Sequence, residues 1–128
     1  MTPSSPTYLS GGTASIYVSD MDRAVRFYHE TLGLTLAVRI ANEWAELDAG
    51  NGFIVGLHQA TAQGVSPGTA GAINIELRVA APHTLEEAVA ALQARGVPFS
   101  APIASYEHVR LAYLQDPDGN QIILAQTI

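Results

Sequence analysis

Leu111-Ala-Tyr-Leu-Gln-Asp116-Pro-Asp-Gly119-Asn120-Gln-Ile-Ile-Leu-Ala-Gln126 sets two short apolar runs on either side of Asp-Pro-Asp-Gly-Asn. Pro117 presets a backbone angle, the Asx side chains bond locally, and Gly119 tolerates positive φ. The stretch therefore predicts a strand, a tight turn and a strand, a β-hairpin that closes the fold. By itself a hairpin names no function. Its meaning comes from what precedes it, because the pattern leading up to it occurs twice.

In the first occurrence Ala14, Ile16 and Val18 share one strand face, with Thr13, Ser15 and Tyr17 on the other. Asp20 follows as an N-cap, and Met21, Ala24, Val25, Tyr28 and Leu32 recur at helical spacing until Gly33 ends the helix. Strand-like runs follow at Leu34–Ala41, Trp44–Ala49 and Phe53–Gln59, separated by Asn42-Glu43 and Gly50-Asn-Gly52. In the second occurrence Ile73, Ile75, Leu77 and Val79 form the apolar face opposite Asn74, Glu76 and Arg78. Thr84-Leu-Glu-Glu87 is a capping box, Leu85, Ala88, Val89 and Leu92 make the helix stripe, and Gly96 ends it. Strands are expected at about Pro98–Ala104, Val109–Gln115 and Gln121–Gln126. The chain thus divides into a tail (1–12), a first βαβββ module (13–60), a small, polar linker (61–71) and a second βαβββ module (72–128). Each module buries one sheet face on its own helix and leaves the opposite face for a neighbour.

Composition narrows the function classes. With 48% hydrophobic and 14% charged residues, the 128-residue chain can bury a real core. No apolar run approaches the ~20 residues that span a bilayer, so no membrane partner is expected. The opening Met1-Thr-Pro-Ser-Ser-Pro lacks the basic start and apolar core of a signal peptide, and the absence of cysteine suits a cytoplasmic location. Twelve acidic residues against six basic ones argue against nucleic-acid binding and tilt any small ligand toward a neutral or cationic one.

Ala14-Ser-Ile-Tyr-Val-Ser-Asp-Met-Asp-Arg-Ala-Val-Arg-Phe-Tyr-His-Glu-Thr-Leu-Gly33-Leu resembles the opening module of the vicinal oxygen chelate superfamily. Arg95-Gly-Val-Pro98 and Asp116–Asn120 are similar to the matching stretches of its second module. That superfamily includes glyoxalase I, extradiol dioxygenases, fosfomycin-resistance enzymes and bleomycin-resistance proteins. The resemblance implies an α+β fold in which the paired modules form a U-shaped mixed sheet around a ligand cavity, with helices on the outer face. It also implies pockets shared across a homodimer. The enzymes of the superfamily bind a divalent metal through His, Gln or Glu. Carried onto this chain, those positions fall on Thr13, near Gly56, on Asn74 and on Ile123, a set that makes no metal site.

Several residues remain as candidates for chemistry. Trp44 and Glu46 alternate with Ala45 and Leu47, which turns the first pair toward the cavity; an indole beside a carboxylate suits a flat cation. The plainer reading of Trp44 is a space filler at the sheet edge. His58 shares the face of Gly56, either as a polar wall residue or, with Glu46 and Glu76, as part of a displaced metal site. Glu76 and Arg78 share a face and need a wet cavity or each other; they orient a polar ligand or brace the cavity as an ion pair. Glu76 is a general base only if the protein is an enzyme, and no nucleophile or oxyanion donor accompanies it. Asn74 offers both donor and acceptor. Tyr17 and Tyr113 are further wall aromatics, and Tyr106 and His108 belong to a rim segment, Ala104–His108. His29 reads as an exposed helix residue and His83 as a residue preceding a cap.

Two readings follow. In the first, the protein sequesters an aromatic or cationic natural product or antibiotic by stacking and polar anchoring, with no cofactor and no bond broken. In the second it is a metal-dependent lyase, isomerase or dioxygenase, with ligands displaced to His58, Glu46 and Glu76.

Overall fold

The computed structural model describes residues 8, 12–60, 66–68 and 73–128. Most of the expected tail and linker lie outside the described residues. The order is β1 (Ala14–Val18), α1 (Met21–Val25) continued by π-helical turns (Arg26–Thr31), β2 (Thr35–Ile40), β3 (Trp44–Asp48) and β4 (Ile54–Gln59). The second set is β5 (Asn74–Arg78), α2 (Leu85–Ala94), β6 (Ala104–Ser105), β7 (Val109–Gln115) and β8 (Gln121–Thr127). Two βαβββ modules are therefore present, and the fold is α+β. Each module builds its own four-stranded mixed sheet, ordered β1-β4-β3-β2 and β5-β8-β7-β6. In each, the first strand runs parallel to the last and the other pairs are antiparallel.

Local chemistry explains the elements. Asp20 accepts the Arg23 N–H at 3.1 Å and caps α1. Thr84 and Glu87 form the reciprocal capping box of α2, each side chain taking the other's backbone N–H at 3.2 Å. Gly33 and Gly96 leave the helices at φ of 85° and 88°, in the left-handed region that a side chain disfavours. Alternate strand residues face the helices: Ile16, Val18, Ala45, Leu47, Val55 and Leu57 in the first module, and Ile75, Leu77, Ala112, Leu114, Ile122 and Leu124 in the second. With Met21, Tyr28, Leu85 and Leu92 they make one continuous core. Arg110 ties β7 to Glu86 on α2, and the guanidinium's hydrogen bonds hold that carboxyl below its usual range.

Two expectations need correction, and one irregularity was not foreseen. The strand expected over Pro98–Ala104 shrinks to Ala104–Ser105, because Pro98 and Pro102 offer no N–H to a ladder. Ile73 is 55% exposed and lies ahead of β5, not on the apolar core face with Ile75 and Leu77. A bulge between Leu36 and Val38 interrupts β2. By simple alternation Leu36, Val38 and Ile40 would all face the core. Instead Leu36 opposes buried Leu47, whereas Val38 opposes Glu46 and Ile40 opposes Trp44 on the other face.

A buried polar cluster joins the modules. Asp116, 5% exposed, receives the Tyr28 hydroxyl at 2.8 Å across the junction. The same carboxylate accepts the N–H groups of Asp118 and Asn120 and the Asn120 side-chain amide, at 2.8–2.9 Å. Asp118 in turn accepts the Ser19 N–H at 3.1 Å and lies 3.4 Å from the Arg23 guanidinium. Gly68 passes close by: a Cβ there, at φ 84°, would stand 1.7 Å from the Asp118 carbonyl oxygen. No described helix is long and apolar enough to cross a membrane.

Burial, and then the Asp116 charge, push the Tyr28 phenol far above its ordinary value of 10.0. The folded state therefore keeps this proton to higher pH than the unfolded chain does. The contribution is complete below pH 10 and is lost as pH rises beyond it. Tyr28→Phe should cost about 1–3 kcal/mol at pH 7 by leaving a buried carboxylate short of a donor. It should also flatten the decline of the urea midpoint between pH 9 and 11; an equally steep decline in wild type and variant would rule this out.

Candidate ligand-binding face

The face of the first sheet turned away from its helix carries two adjacent rows of residues. Strand pairing sets Tyr17, His58, Trp44 and Ile40 side by side in one row, and Ser15, Gly56, Glu46 and Val38 in the other. The first row is largely aromatic. Tyr17 and His58 stack with ring centres 5.2 Å apart and planes 19° from parallel. Trp44 meets His58 edge-on at 5.8 Å and 78°.

The second row fixes the indole. Trp44 Nε1 donates to Glu46 Oε2 at 2.8 Å, and the far edge of the ring lies over Gly56. A Cβ at Gly56 would fall 2.6 Å from Trp44 Cη2, 2.9 Å from Cζ2 and 3.0 Å from the Ser15 Cβ. The indole therefore rests where only a glycine leaves room. Glu46 is half-buried and, among the described residues, makes no ion pair. Among the described residues it accepts the indole N–H and meets no cation, so the carboxylate stands beside an aromatic surface without a positive partner. Val38 and Ile40, 39% and 56% exposed, extend that surface with aliphatic area. Sequence reasoning missed both, along with Ser15. The signal is the β2 bulge, which depends on the pairing with β3.

The other candidates, His29 apart, lie on the second module. Asn74, Glu76 and Arg78 are exposed along β5, and Glu76, Ile123 and half-buried Tyr113 form one cross-strand row. The alternative of a Glu76–Arg78 ion pair is corrected: among the described residues no such pair forms, because exposure lets water solvate both charges. Tyr106 is 58% exposed, its backbone N–H closing a turn on Val109 at 2.8 Å. His108 is exposed beside Glu107. His29 is exposed with Nδ1 2.7 Å from the Leu34 carbonyl, and exposed His83 lies 3.4 Å from Glu87. Within one chain the candidates thus occupy two sheet faces. A groove of about 1040 Å³ lies between the modules, lined on one side by Leu32, Leu34 and Phe53 and on the other by Ala88, Ala91 and Arg95. Of the candidates it includes Glu76, Arg78 and His83.

The donor set does not suit a divalent metal. Thr13 and Asn74 are exposed neutral residues, Gly56 has no side chain, and Ile123 is apolar. His58 and Glu46 are neighbours on the first sheet, but Glu76 belongs to the second. Among the described residues, no group of three or more His, Asp or Glu comes together to hold a metal.

Comparison with known proteins adds context. Residues 12–124 match the family described as the Glyoxalase/Bleomycin resistance protein/Dioxygenase superfamily. TnmS3, an antibiotic binding protein from Streptomyces sp. CB03234, superposes with a TM-score of 0.79 at 29% identity, covering 96% of this chain and 100% of that one. A glyoxalase/bleomycin resistance protein from the same Streptomyces gives 0.72 at 30% identity, with 91% and 100% coverage. Lactoylglutathione lyase from Agrobacterium tumefaciens, at 15% identity, TM-score 0.74 and 94% and 95% coverage, shares the fold alone. No curated protein matches the chain.

The Trp44–Glu46 bond is open to a direct check. Glu46→Ala should lower stability by about 1 kcal/mol and raise acrylamide quenching of Trp44. Glu46→Gln, which keeps an acceptor oxygen, should leave quenching close to wild type. Unchanged quenching in the alanine variant would mean that the bond does not hold the ring in solution.

Proposed function

The chain belongs to the glyoxalase/bleomycin resistance protein/dioxygenase superfamily, and from that premise we propose that it is a binding protein that sequesters an aromatic or cationic natural product, such as an antibiotic. The observation that carries this reading is the row Tyr17–His58–Trp44 with the unpaired Glu46 carboxylate beside it. Aromatic faces supply stacking area at low entropic cost, and a carboxylate held next to an indole favours a positive charge on the same ligand. The similarity to an antibiotic binding protein over nearly the full length supports the assignment. Retention requires no bond to be made or broken. The enzymatic alternative has less support, because the positions that hold the metal in the superfamily's enzymes fall on Thr13, Gly56, Asn74 and Ile123, a poor donor set.

A single open sheet covers only one side of a ligand, whereas drug-sized sites bury most of the ligand surface. We infer that the working form is a homodimer. The second-sheet face of one copy would close over the first-sheet face of the other and bring equivalents of Asn74, Glu76, Arg78 and Tyr113 opposite Trp44. Tyr106 and His108 would line the rim. Two equivalent pockets result, each built from both copies. The cytoplasm is the compartment this reading implies.

Trp44 is the only tryptophan, so its emission reports the pocket directly. Titration with planar cationic antibiotics should give saturable quenching, weakened about tenfold by Glu46→Ala if the charge contributes about 1.4 kcal/mol. No response across a broad panel would remove the sequestration reading. Sedimentation should give the mass of two chains; a monomer at micromolar concentration would exclude the shared pocket. Stoichiometric Fe, Mn, Ni or Zn lost in His58→Ala, measured on untagged protein, would favour the enzyme.

A further inference from the structure

We propose that Gly56 is the specificity-determining residue of this face: by carrying no side chain it lets the Trp44 indole lie against the sheet, and together with Glu46 it makes a platform that selects planar cations. The ligand half of this inference rests on the binding reading above; the packing half is independent of any ligand.

The backbone does not explain this glycine. Its φ is not in the positive region that demands one. It sits in β4, between β1 and β3 in the middle of the sheet, where glycine weakens a strand for want of side-chain packing. Space explains it. The built Cβ contacts of 2.6 and 2.9 Å involve the far edge of the indole, not the main chain. A side chain at position 56 would therefore displace the ring before it displaced the strand. Ser15 flanks the same spot, with its Cβ 3.0 Å from where a Cβ on Gly56 would stand. The row Ser15–Gly56 is thus a shallow trough in which the ring lies.

The lie of the ring decides what can bind. Indole N–H and Glu46 carboxylate are linked at 2.8 Å, so aromatic surface and negative charge are presented in fixed relation. Lifting the ring off Gly56 would separate the two and leave a site in which stacking and charge recognition no longer act on one flat ligand. Glu46 has no cation of its own among the described residues of the chain, which suits it to a positive charge on a ligand lying over the indole. Any residue larger than glycine at position 56 shifts selection away from planar cations.

The test is a double-mutant cycle followed by one probe. Gly56→Ala should lower the melting temperature in the wild-type background. In the Trp44→Ala background the same change should raise it, since alanine suits a central strand better than glycine. Equal shifts in the two backgrounds would overturn the packing argument. Proflavine serves as the planar cationic probe, with far-UV circular dichroism confirming the fold of each variant. Gly56→Ala should bind it about tenfold more weakly than wild type. Equal affinities would overturn the specificity role. A wild-type protein indifferent to proflavine would remove the specificity role and count against the binding reading, while inversion of the temperature shifts would still report the ring seated on Gly56.

Discussion

The carboxylate of Asp116 is the constraint on which the molecule depends. It is buried, and a buried charge is tolerable only when its lone pairs are met by donors. Two backbone N–H groups and an amide from its own turn meet three of those needs, and the Tyr28 hydroxyl of the other module meets another. One group thus shapes the β7–β8 turn and fastens that turn to the first helix. Asn120 extends the attachment, donating to the Tyr17 carbonyl at 3.5 Å. The strand that carries an aromatic of the ligand face is therefore held from behind by the same turn.

This attachment is made once, although the modules repeat. Tyr28 lies five residues before Gly33; the residue five before Gly96 is Ala91. Where the first helix sends a phenol into the opposite turn, the second presents a methyl group, and Ala91 lines the groove of about 1040 Å³ between the modules. The groove is thus the unfilled counterpart of the Tyr28–Asp116 contact. Arg95 bridges part of it by donating to the Thr31 carbonyl at 2.7 Å.

Much of this was legible in the chain. The Asp116–Asn120 turn, the Thr84–Glu87 capping box, the helix-ending glycines and the inward alternation of Ala45 and Leu47 are local signals, and they hold because local chemistry determines them. The resemblance to the superfamily was equally legible, as it rests on turns and helix ends. What escaped was non-local. A strand-like run at Leu34–Ala41 does not disclose the β2 bulge, and only pairing with β3 reveals that it turns Val38 and Ile40 outward. The contact between Trp44 and Gly56 joins adjacent strands in a register that periodicity does not define. Two prolines undid most of the strand expected over Pro98–Ala104, a local signal already present in the sequence.

The β2 bulge also bears on how the protein stays dispersed. β2 is a sheet edge with unpaired backbone groups and two exposed aliphatic side chains, the kind of strand on which further chains can add. Kinking it between Leu36 and Val38 spoils the straight ladder an incoming strand would need. Arg39, between the two aliphatics, is anchored to Asp22, the Ala41 carbonyl and Asn42, and so keeps a charge at the open edge. The irregularity that lends apolar area to a binding face thereby guards the same strand against fibrillar self-association.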